Sequence, residues 1–320
     1  MKILQSVGDD SLAHVYVAHL DTGHAIEFVE STQPPYPREK KWVLIVSTLA
    51  GCPVGCPICD AGGFYKGKLS KDDILVQIDY MISQRFPNRI IPVDKFKIQF
   101  ARMGDPAFNL NVITVLEELP QLYDAPGLMP CISTIAPRGV DTFFESLLDI
   151  KHRLYKNKFQ MQFSIHSTDE KQRDRMMPVR KWDFVEIAAY GRRFYAAGDR
   201  KIALNFALAK DSEIDPTKLA QYFDPEIFLI KLTPVNPTYS SQANRVESFV
   251  FGNDKCRNLV QSLTDTGYEV IVSIGELKEN DLGSNCGQYV MRHLQADDKT
   301  GHAYRDVLSS EKSYTLKNSY

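Results

Sequence analysis

The N-terminal part of the chain contains two segments in which apolar and polar side chains alternate. They are Leu12–Leu20 and His24–Glu30, and the turn residues Asp21-Thr22-Gly23 lie between them. Alternation with a period of two predicts strands with one buried face, so the pair is expected to form a small β-hairpin. The Pro-rich, charged stretch Thr32–Lys41 is typical of a linker. We therefore predict an N-terminal β-hairpin and linker over residues 1–40.

From residue 41 the pattern changes to short apolar runs that alternate with segments of helical periodicity. The predicted strands are Trp42–Ser47, Phe96–Ala101, Cys131–Thr134, Met161–Ile165, Ile202–Leu208, Ile227–Leu232 and Glu269–Ile274. The predicted helices are Lys71–Phe86, Val112–Leu122, Val140–Leu148, Phe184–Ala197, Pro216–Phe223, Asp254–Thr266 and Gly287–Leu294. Such alternation predicts an α/β protein with βαβ units and a mainly parallel sheet. Periodicity leaves open whether the sheet is doubly wound or a complete or partial barrel. A core over 41–295 and a polar tail over 296–320 complete the predicted organisation.

Composition restricts the class of protein. With 43% hydrophobic and 24% charged residues, the chain is typical of globular proteins, which excludes general disorder. A net charge of −2 excludes binding of nucleic acid by bulk positive charge. No apolar run approaches the ~20 residues of a membrane span, and the N-terminus lacks the apolar segment of a secretory signal. Six cysteines are too few for a disulfide scaffold in 320 residues, so we expect a reducing cytoplasm.

The segment Gly51–Asp60, GCPVGCPICD, contains three closely spaced cysteines directly after an apolar strand. Cys52, Cys56 and Cys59 form a C-x3-C-x2-C array. Thiolates of one loop can converge on one metal centre, and three of them would fill three iron positions of a 4Fe–4S cluster. The fourth iron would then be available to S-adenosylmethionine, which one-electron transfer cleaves to a 5′-deoxyadenosyl radical.

Three other interpretations of this array are open. A structural zinc ion would need a fourth ligand, which Cys286 or a histidine could supply. A disulfide is disfavoured in a reducing compartment. Three unrelated cysteines are not expected at this density. One residue weakens the iron–sulfur interpretation, because Ile58 stands where radical enzymes of this type usually have an aromatic residue.

Several further segments resemble, in order, the radical S-adenosylmethionine enzymes that methylate an adenine carbon of ribosomal and transfer RNA. The resemblance runs from about Ile26 to Val290, through GCPVGCPICDAGGF, MGDPAFNLN, ISTIAP, FSIHSTDEKQRDRMMPV, IKLTPVNP and DLGSNCGQ. It implies a partial (β/α) barrel with its active site at the C-terminal ends of the strands. It also implies a 4Fe–4S cluster, S-adenosylmethionine, a one-electron donor such as flavodoxin or ferredoxin, and RNA as a candidate substrate.

The resemblance assigns cofactor-binding residues that follow predicted strands. Gly104 would permit close backbone approach, and Asp105, where the family has Glu, would accept a hydrogen bond from the cofactor's ammonium group. The positions that match contacts to the ribose, carboxylate and adenine regions are Ser133, Ser164, Ile165, His166 and Asn236. Structural alternatives exist for each, such as a turn, a loop histidine or a cap, and Asp105 could cap its own turn.

Two residues match catalytic positions of the family. Cys286, in the segment SNCGQ, matches the thiol that accepts a methyl group and passes it to the adenine carbon, a role that suits a polarizable nucleophile. The alternative for Cys286 is a buried cysteine that begins a helix. Glu27, on the second predicted strand, aligns with the family's proton-accepting glutamate, and its alternative is a solvated strand carboxylate.

At one catalytic position the chain departs from the family. The family has a second thiol, seven residues before the first cluster cysteine, which resolves the covalent enzyme–RNA adduct, and Ile45 stands there. An isoleucine has no thiol chemistry. The remaining cysteines are expected to pack in the core. Cys256 has helical spacing to apolar neighbours, and Cys131 lies on the strand that leads to Ser133.

RNA binding is a second point of departure, because only about 40 residues precede the predicted barrel and the family has a longer N-terminal RNA-binding region. The basic residues that could contact phosphates are Lys66, Lys68, Lys71, Lys171, Arg173, Arg175, Arg180 and Lys181. Their alternative is a solvated loop whose charges pair with Asp169, Glu170 and Asp174.

Three hypotheses follow. The first is a radical S-adenosylmethionine enzyme that uses Cys286 for methyl transfer to an RNA adenine carbon or a related substrate. In the second, the same radical chemistry acts on a small molecule or peptide, without methylation of the cysteine. The third is a non-catalytic zinc or RNA-binding protein.

Overall fold

A computed structural model describes residues 1–32 and 34–275, together with the backbone of Lys312–Ser313. The chain divides into two compact units. Among the described residues, the first unit comprises Met1–Pro53 and Asp60–Pro130, and the second comprises Val54–Cys59 and Cys131–Gly275. The boundaries expected at residues 40 and 295 stay predictions.

Antiparallel strands begin the first unit, and a parallel pair follows. Its strands are β1 (Lys2–Asp9), β2 (Ala13–His19), β3 (Ala25–Ser31), β4 (Lys41–Val46), β5 (Leu49–Ala50), β6 (Gly67–Lys68) and β7 (Lys95–Phe100). β2 pairs antiparallel with β3, as the hairpin prediction required. β1 adds to the other edge of β2 and was not predicted, because its sequence KILQSVGD alternates poorly. β4 pairs antiparallel with β3 and parallel with β7.

Two helices of the first unit follow the predicted bounds closely. They are α1 (Lys71–Arg85) and α2 (Asn111–Leu122). α1 begins with a capping box, in which Ser70 accepts from the Asp73 backbone N–H and the Asp73 carboxylate accepts from that of Ser70. Trp42 and Phe96, on the parallel pair β4 and β7, are fully buried and stack with ring centroids 5.1 Å apart.

The second unit contains a parallel sheet with helical connections. Its strands are β8 (Leu128–Thr134, whose first three residues lie in the first unit), β9 (Gln160–Ser164), β10 (Ile202–Leu208), β11 (Phe228–Pro234) and β12 (Val270–Val272). Its helices are α3 (Asp141–Ile150), α4 (Glu170–Met176), α5 (Phe184–Phe194), α6 (Pro216–Tyr222), α7 (Tyr239–Ala243) and α8 (Asp254–Asp265). The order β12-β11-β10-β9-β8 is parallel throughout. Two of these helices, α4 and α7, are short and polar and were not predicted.

This parallel sheet has one apolar face and one polar face. In β9 the buried residues Met161 and Phe163 alternate with the partly buried Gln162 and Ser164. The residues that share the polar face by register are Ser133, Gln162, Ser164, Asn205, Lys231 and Thr233. Parallel sheets covered by helices are normally apolar on both faces. The polar face is therefore available for contacts other than helix packing.

Within residues 1–32 and 34–275, no helix has the length and apolar character that a membrane crossing requires. The predicted helix Gly287–Leu294 lies outside the described residues. The short strand Lys312–Ser313 pairs antiparallel with β1.

Candidate functional site

The cysteine loop begins in the first unit with a tight backbone turn after β5. Gly51 has φ +79°, and a Cβ added there would lie 2.9 Å from the carbonyl oxygen of Phe64. Only glycine tolerates this conformation together with so close an approach. The next residue, Cys52, forms a parallel bridge with Gly62. The start of the loop is thus held by its own backbone geometry.

The rest of the loop lies in the second unit and carries the other two cysteines. The Cys59 backbone N–H donates to the Cys56 carbonyl oxygen at 3.1 Å, which closes a turn. Asn244 Nδ2 donates to the carbonyl oxygen of Pro57 at 3.1 Å. Thr238 Oγ1 donates to that of Ile58 at 2.9 Å. Residues 180 positions or more away in the chain therefore fix the loop.

Thr238 links this loop to Asn236, one of the predicted cofactor-binding residues. Its hydroxyl caps α7 by accepting from the Ser241 backbone N–H at 3.0 Å, while its own N–H donates to the Asn236 carbonyl oxygen at 2.8 Å. Thr238 and Asn244 were not among the predicted site residues. The only available signal was the cap spacing Thr238-x-x-Ser241 just after Asn236.

The side chains of the three loop cysteines are partly exposed. Across the described residues, no three Cys, His, Asp or Glu side chains are gathered as the ligands of a single metal ion. A closed zinc site needs all its ligands about 2.0–2.3 Å from one ion. Cluster binding makes a different demand, since each thiolate binds its own iron. Cys52, Cys56 and Cys59 thus provide three partly exposed thiols on one loop, and their role as cluster ligands stays a prediction.

In the first unit, Gly104 and Asp105 follow β7 at a tightly packed turn. Gly104 has φ +86°, and an added Cβ would lie 2.4 Å from the side chain of Leu49. Asp105 is buried, and its carboxylate accepts from the Ala107 backbone N–H at 2.9 Å, capping a 3-10 turn. Asp105 thus caps its own turn, as its structural alternative proposed. Its contact with the cofactor stays a prediction.

Glu27 is not the solvated carboxylate that one alternative described. It is fully buried and forms an ion pair with Arg102, which is also buried. Its backbone N–H lies 3.4 Å from Met103 Sδ, and its carbonyl oxygen accepts from Ser47 Oγ at 2.5 Å. Glu27 therefore lies against the residues that lead into Gly104, and its catalytic role stays a prediction.

Ser133 and Ser164 lie on the polar face of the second-unit sheet. Ser133 is paired in register with Gln162, whose Nε2 lies 3.2 Å from Ser133 Oγ. Ser164 is paired in register with Asn205 on β10. Ile165, also predicted to bind the cofactor, is fully buried and its N–H donates to the Asn205 carbonyl oxygen at 2.8 Å. Of the three predicted residues, the two serines are placed on the polar face.

The His166 side chain makes the next hydrogen bond between the β9 and β10 segments, after the last paired residues of the two strands. Its backbone has φ +64°, a left-handed conformation, and its Nδ1 accepts from the Ala207 backbone N–H at 3.0 Å. Burial lowers the pKa of His166 to about 4, and the charge of Arg173 acts in the same direction. The ring is therefore neutral near pH 7 and carries its proton on Nε2. His166 is a fixed donor, and it is not a base at neutral pH.

A cavity of about 620 Å³ in the second unit brings the cysteine loop and His166 to one place. Pro57, between two of the cysteines, and His166 both line it. Its further lining includes the basic residues Arg175, Lys210 and Arg245. The Lys210 ammonium pairs with Glu247 at 2.7 Å. The cavity lining is thus largely polar and includes both His166 and the loop residue Pro57.

The basic segment near α4 is not a plain solvated loop. Arg173 is buried, its Nη1 donates to the Trp182 carbonyl oxygen at 2.8 Å, and burial lowers its pKa to about 10. Lys181 is buried as well, and its Nζ bonds Asp174 at 2.5 Å and the Met177 carbonyl oxygen at 2.9 Å. Both cations support the local fold.

The remaining cysteine positions divide as expected. Cys131 and Cys256 are buried, in agreement with core packing. Ile45 packs against an apolar cluster of the first unit that includes Val15 and Val29. Cys286, the predicted catalytic thiol, lies outside the described residues.

Comparison with known proteins gives one consistent result. No family model matches the chain. The chain is 24% identical over 285 residues to the probable dual-specificity RNA methyltransferase RlmN of Petrotoga mobilis, covering 88% of this chain and 75% of that protein. It is 27% identical over 259 residues to the dual-specificity RNA methyltransferase RlmN of Wolinella succinogenes, covering 78% and 67%.

Among solved structures, the crystal structure of a radical SAM methyltransferase from Sphaerobacter thermophilus superposes with a TM-score of 0.71. It shares 20% identity and covers 89% of this chain and 80% of that one. This likeness confirms the predicted fold, a mixed α/β architecture with a mostly parallel sheet and antiparallel N-terminal strands. Over most of its length the chain is thus similar in sequence to RNA methyltransferases named RlmN.

Proposed function

We propose that this homologue of the dual-specificity RNA methyltransferases is a radical S-adenosylmethionine enzyme that transfers a methyl group to an RNA adenine carbon. The observation that carries the proposal is the anchored cysteine loop beside a His166-lined cavity, within a radical SAM methyltransferase fold. A 4Fe–4S cluster bound there would supply the electron that cleaves S-adenosylmethionine. The donor of that electron would be a small redox protein such as flavodoxin or ferredoxin.

The residues of the chain divide into ligands, binding groups and catalytic groups. Cys52, Cys56 and Cys59 would hold the cluster, because they are partly exposed thiols spaced C-x3-C-x2-C on one loop. The residues that would bind the cofactor are Gly104, Asp105, Ser133, Ser164, Ile165, His166 and Asn236. Cys286 would carry the methyl group and Glu27 would accept the proton lost from the adenine carbon. Six cysteines in 320 residues also suit a reducing cytoplasm.

The proposal of an RNA substrate rests on the relatives, whose names describe RNA methyltransferases. The basic side chains Arg175 and Arg245 around the cavity are consistent with an anionic substrate, whereas Lys210 is paired with Glu247. Because the net charge is only −2 overall, binding would depend on such local groups.

One observation favours a second candidate function. Ile45 occupies the position of the resolving thiol and packs in an apolar cluster, so no sulfur is available from that position. A radical enzyme of the same architecture that acts on a small molecule or peptide, without a cysteine-bound adduct, would need no such thiol.

Anaerobic reconstitution with iron and sulfide is the first test. We expect the broad visible absorption of an iron–sulfur cluster and loss of that absorption in Cys56→Ala. Stoichiometric zinc without absorption would contradict both radical candidates and favour a zinc-binding protein.

Intact mass measurement on enzyme made with ample cofactor then separates the two radical candidates. A methyl group localised to Cys286, with isotope transfer from labelled cofactor into RNA, supports RNA methylation. Active cofactor cleavage without methyl on Cys286 supports the second candidate instead.

A further inference from the structure

Three polar side chains from three strands of the second unit form a row of contacts across the polar sheet face. Lys231 Nζ, on β11, lies 3.4 Å from Gln162 Oε1, on β9. Gln162 Nε2 lies 3.2 Å from Ser133 Oγ, on β8. The three side chains are partly buried, and the sheet register places them on one face. Gln162 and Lys231 match no cofactor position of the sequence analysis.

The chemistry of the groups determines which atom donates and which accepts in each of these contacts. A lysine ammonium has only donors, so the atom of Gln162 that faces Lys231 must be the carbonyl oxygen. The NH₂ group of Gln162 then faces Ser133 and donates to its Oγ. A hydroxyl has one proton, and Ser133 does not use it on Gln162. The Ser133 proton is therefore directed away from Gln162.

A second observation on the same face indicates a ligand. Asn205 is 8% exposed, and its Oδ1 is buried without a hydrogen-bond donor among the described residues. Asn205 lies in register between Ser164 and Lys231. A buried carbonyl oxygen without a donor is rare, because its desolvation is not compensated. A ligand hydroxyl or amino group would satisfy it.

We infer that Gln162 and Lys231 are positioning residues that hold the Ser133 hydroxyl as a donor toward S-adenosylmethionine. The inference rests on the proposed function, in which Ser133 contacts the cofactor. Lys231 orients the Gln162 amide, and the amide occupies an acceptor lone pair of Ser133. The face thus offers the ligand one donor, from Ser133, and one acceptor, from Asn205. A ribose with adjacent hydroxyl groups has both complementary functions.

Gln162→Glu tests the inference with almost no change of shape. A carboxylate accepts from both neighbours, so the Ser133 proton would turn to residue 162 and its bond to the ligand would be lost. We expect the dissociation constant of S-adenosylhomocysteine, measured by calorimetry on cluster-loaded protein, to rise roughly tenfold. The matched control is Gln160→Glu, on the same strand and face, where Gln160 already accepts from Cys131 Sγ at 3.9 Å. This control should bind as the wild type does.

A double-mutant cycle separates positioning from a general effect on structure. In a Ser133→Ala background, Gln162→Glu should cause no further loss of affinity, because the hydroxyl on which it acts is gone. Lys231→Met, which frees the amide to rotate, should weaken binding in the wild-type background alone. Equal affinities of the Gln162→Glu and Gln160→Glu proteins, or an undiminished effect without Ser133, would overturn the inference.

The same experiment distinguishes failure of the proposed function. If cluster-loaded wild-type protein binds no S-adenosylhomocysteine, the assignment of the cofactor itself is wrong and the inference is overturned with it. If the wild type binds and the Gln162→Glu protein binds equally well, only the inference is wrong. The thermal unfolding of each variant is measured beside its titration, which separates a loss of affinity from a loss of folded protein.

Discussion

Two glutamates three positions apart on β3 are both buried, yet their surroundings differ. Glu30 accepts from Tyr16 Oη at 2.8 Å and from Trp42 Nε1 at 3.2 Å, and it pairs with Arg85 at 2.9 Å. Those contacts join β3 to its neighbours and describe a structural residue. Glu27 pairs with the buried Arg102 next to Met103 and Gly104. Position in the fold therefore favours Glu27, and not Glu30, as the functional carboxylate.

Replacement of Glu27 by Gln should destabilise the first unit, because Arg102 stays buried and loses its carboxylate partner. We expect a loss of about 3–5 kcal/mol in the free energy of unfolding, measured with urea. The double variant Glu27→Gln/Arg102→Met should recover most of this stability, since it removes both charges. Methyl transfer should stay lost in the double variant; full recovery of activity would show that Glu27 has only a structural role.

The pH dependence of stability should reveal the buried His166. Its folded-state pKa of about 4 lies below the unfolded value of about 6.5, so protonation favours the unfolded chain. Its stabilising contribution is complete above pH 6.5 and is lost as the pH falls toward 4.

His166→Asn removes the titrating group, tolerates the left-handed backbone and keeps an acceptor. From about pH 7 to about pH 5, the wild type should lose about 2 kcal/mol more unfolding free energy than this variant. Parallel pH profiles of the two proteins would contradict the assignment.

At the scale of elements, a short helix distant in sequence holds the cysteine loop. α7 was not predicted, since its five residues YSSQA have no apolar periodicity. Its cap residue Thr238 nevertheless donates to the loop, and Asn244 beyond its end does the same. By contrast, β10 was predicted with its observed bounds, Ile202–Leu208, because six of its seven residues are apolar, as in a central strand. Local patterns thus predicted the scaffold but not the contacts between its loops.

Thr238→Val should loosen the loop, since the methyl group that replaces the hydroxyl neither caps α7 nor donates to Ile58. One cap and one hydrogen bond together contribute about 2 kcal/mol. We expect fewer iron atoms retained per chain after dilution of reconstituted protein, measured by a colorimetric iron assay. Thr264→Val, on the exposed face of α8, loses only a bond to the Val260 carbonyl oxygen and should retain iron as the wild type does.

For the whole molecule, burial separates the described cysteines into two groups. Cys52, Cys56 and Cys59 are partly exposed on a loop, whereas Cys131 and Cys256 are buried. The predicted burial of Cys131 and Cys256 is confirmed, and the role of the other three as cluster ligands stays a prediction.

Cys56→Ala and Cys256→Ala should therefore give opposite results. Cys56→Ala should abolish the cluster absorption and leave the unfolding free energy of the metal-free protein unchanged. Cys256→Ala should keep the absorption and lose roughly 1 kcal/mol, as for other small deletions in a core. Absorption spectra and urea unfolding of both variants provide the comparison, and a destabilised metal-free Cys56→Ala protein would contradict it.

The sequence by itself determined the α/β class, the bounds of most strands and helices, the cysteine array and the relationship to RNA-methylating radical enzymes. These properties depend on neighbours a few residues apart, whose spacing is visible in one dimension. Only the tertiary structure decided that Glu27 is buried against Arg102, that His166 is a neutral donor, and that Gln162 orients Ser133. Such properties depend on partners from separate strands and loops, which folding alone brings within hydrogen-bonding distance.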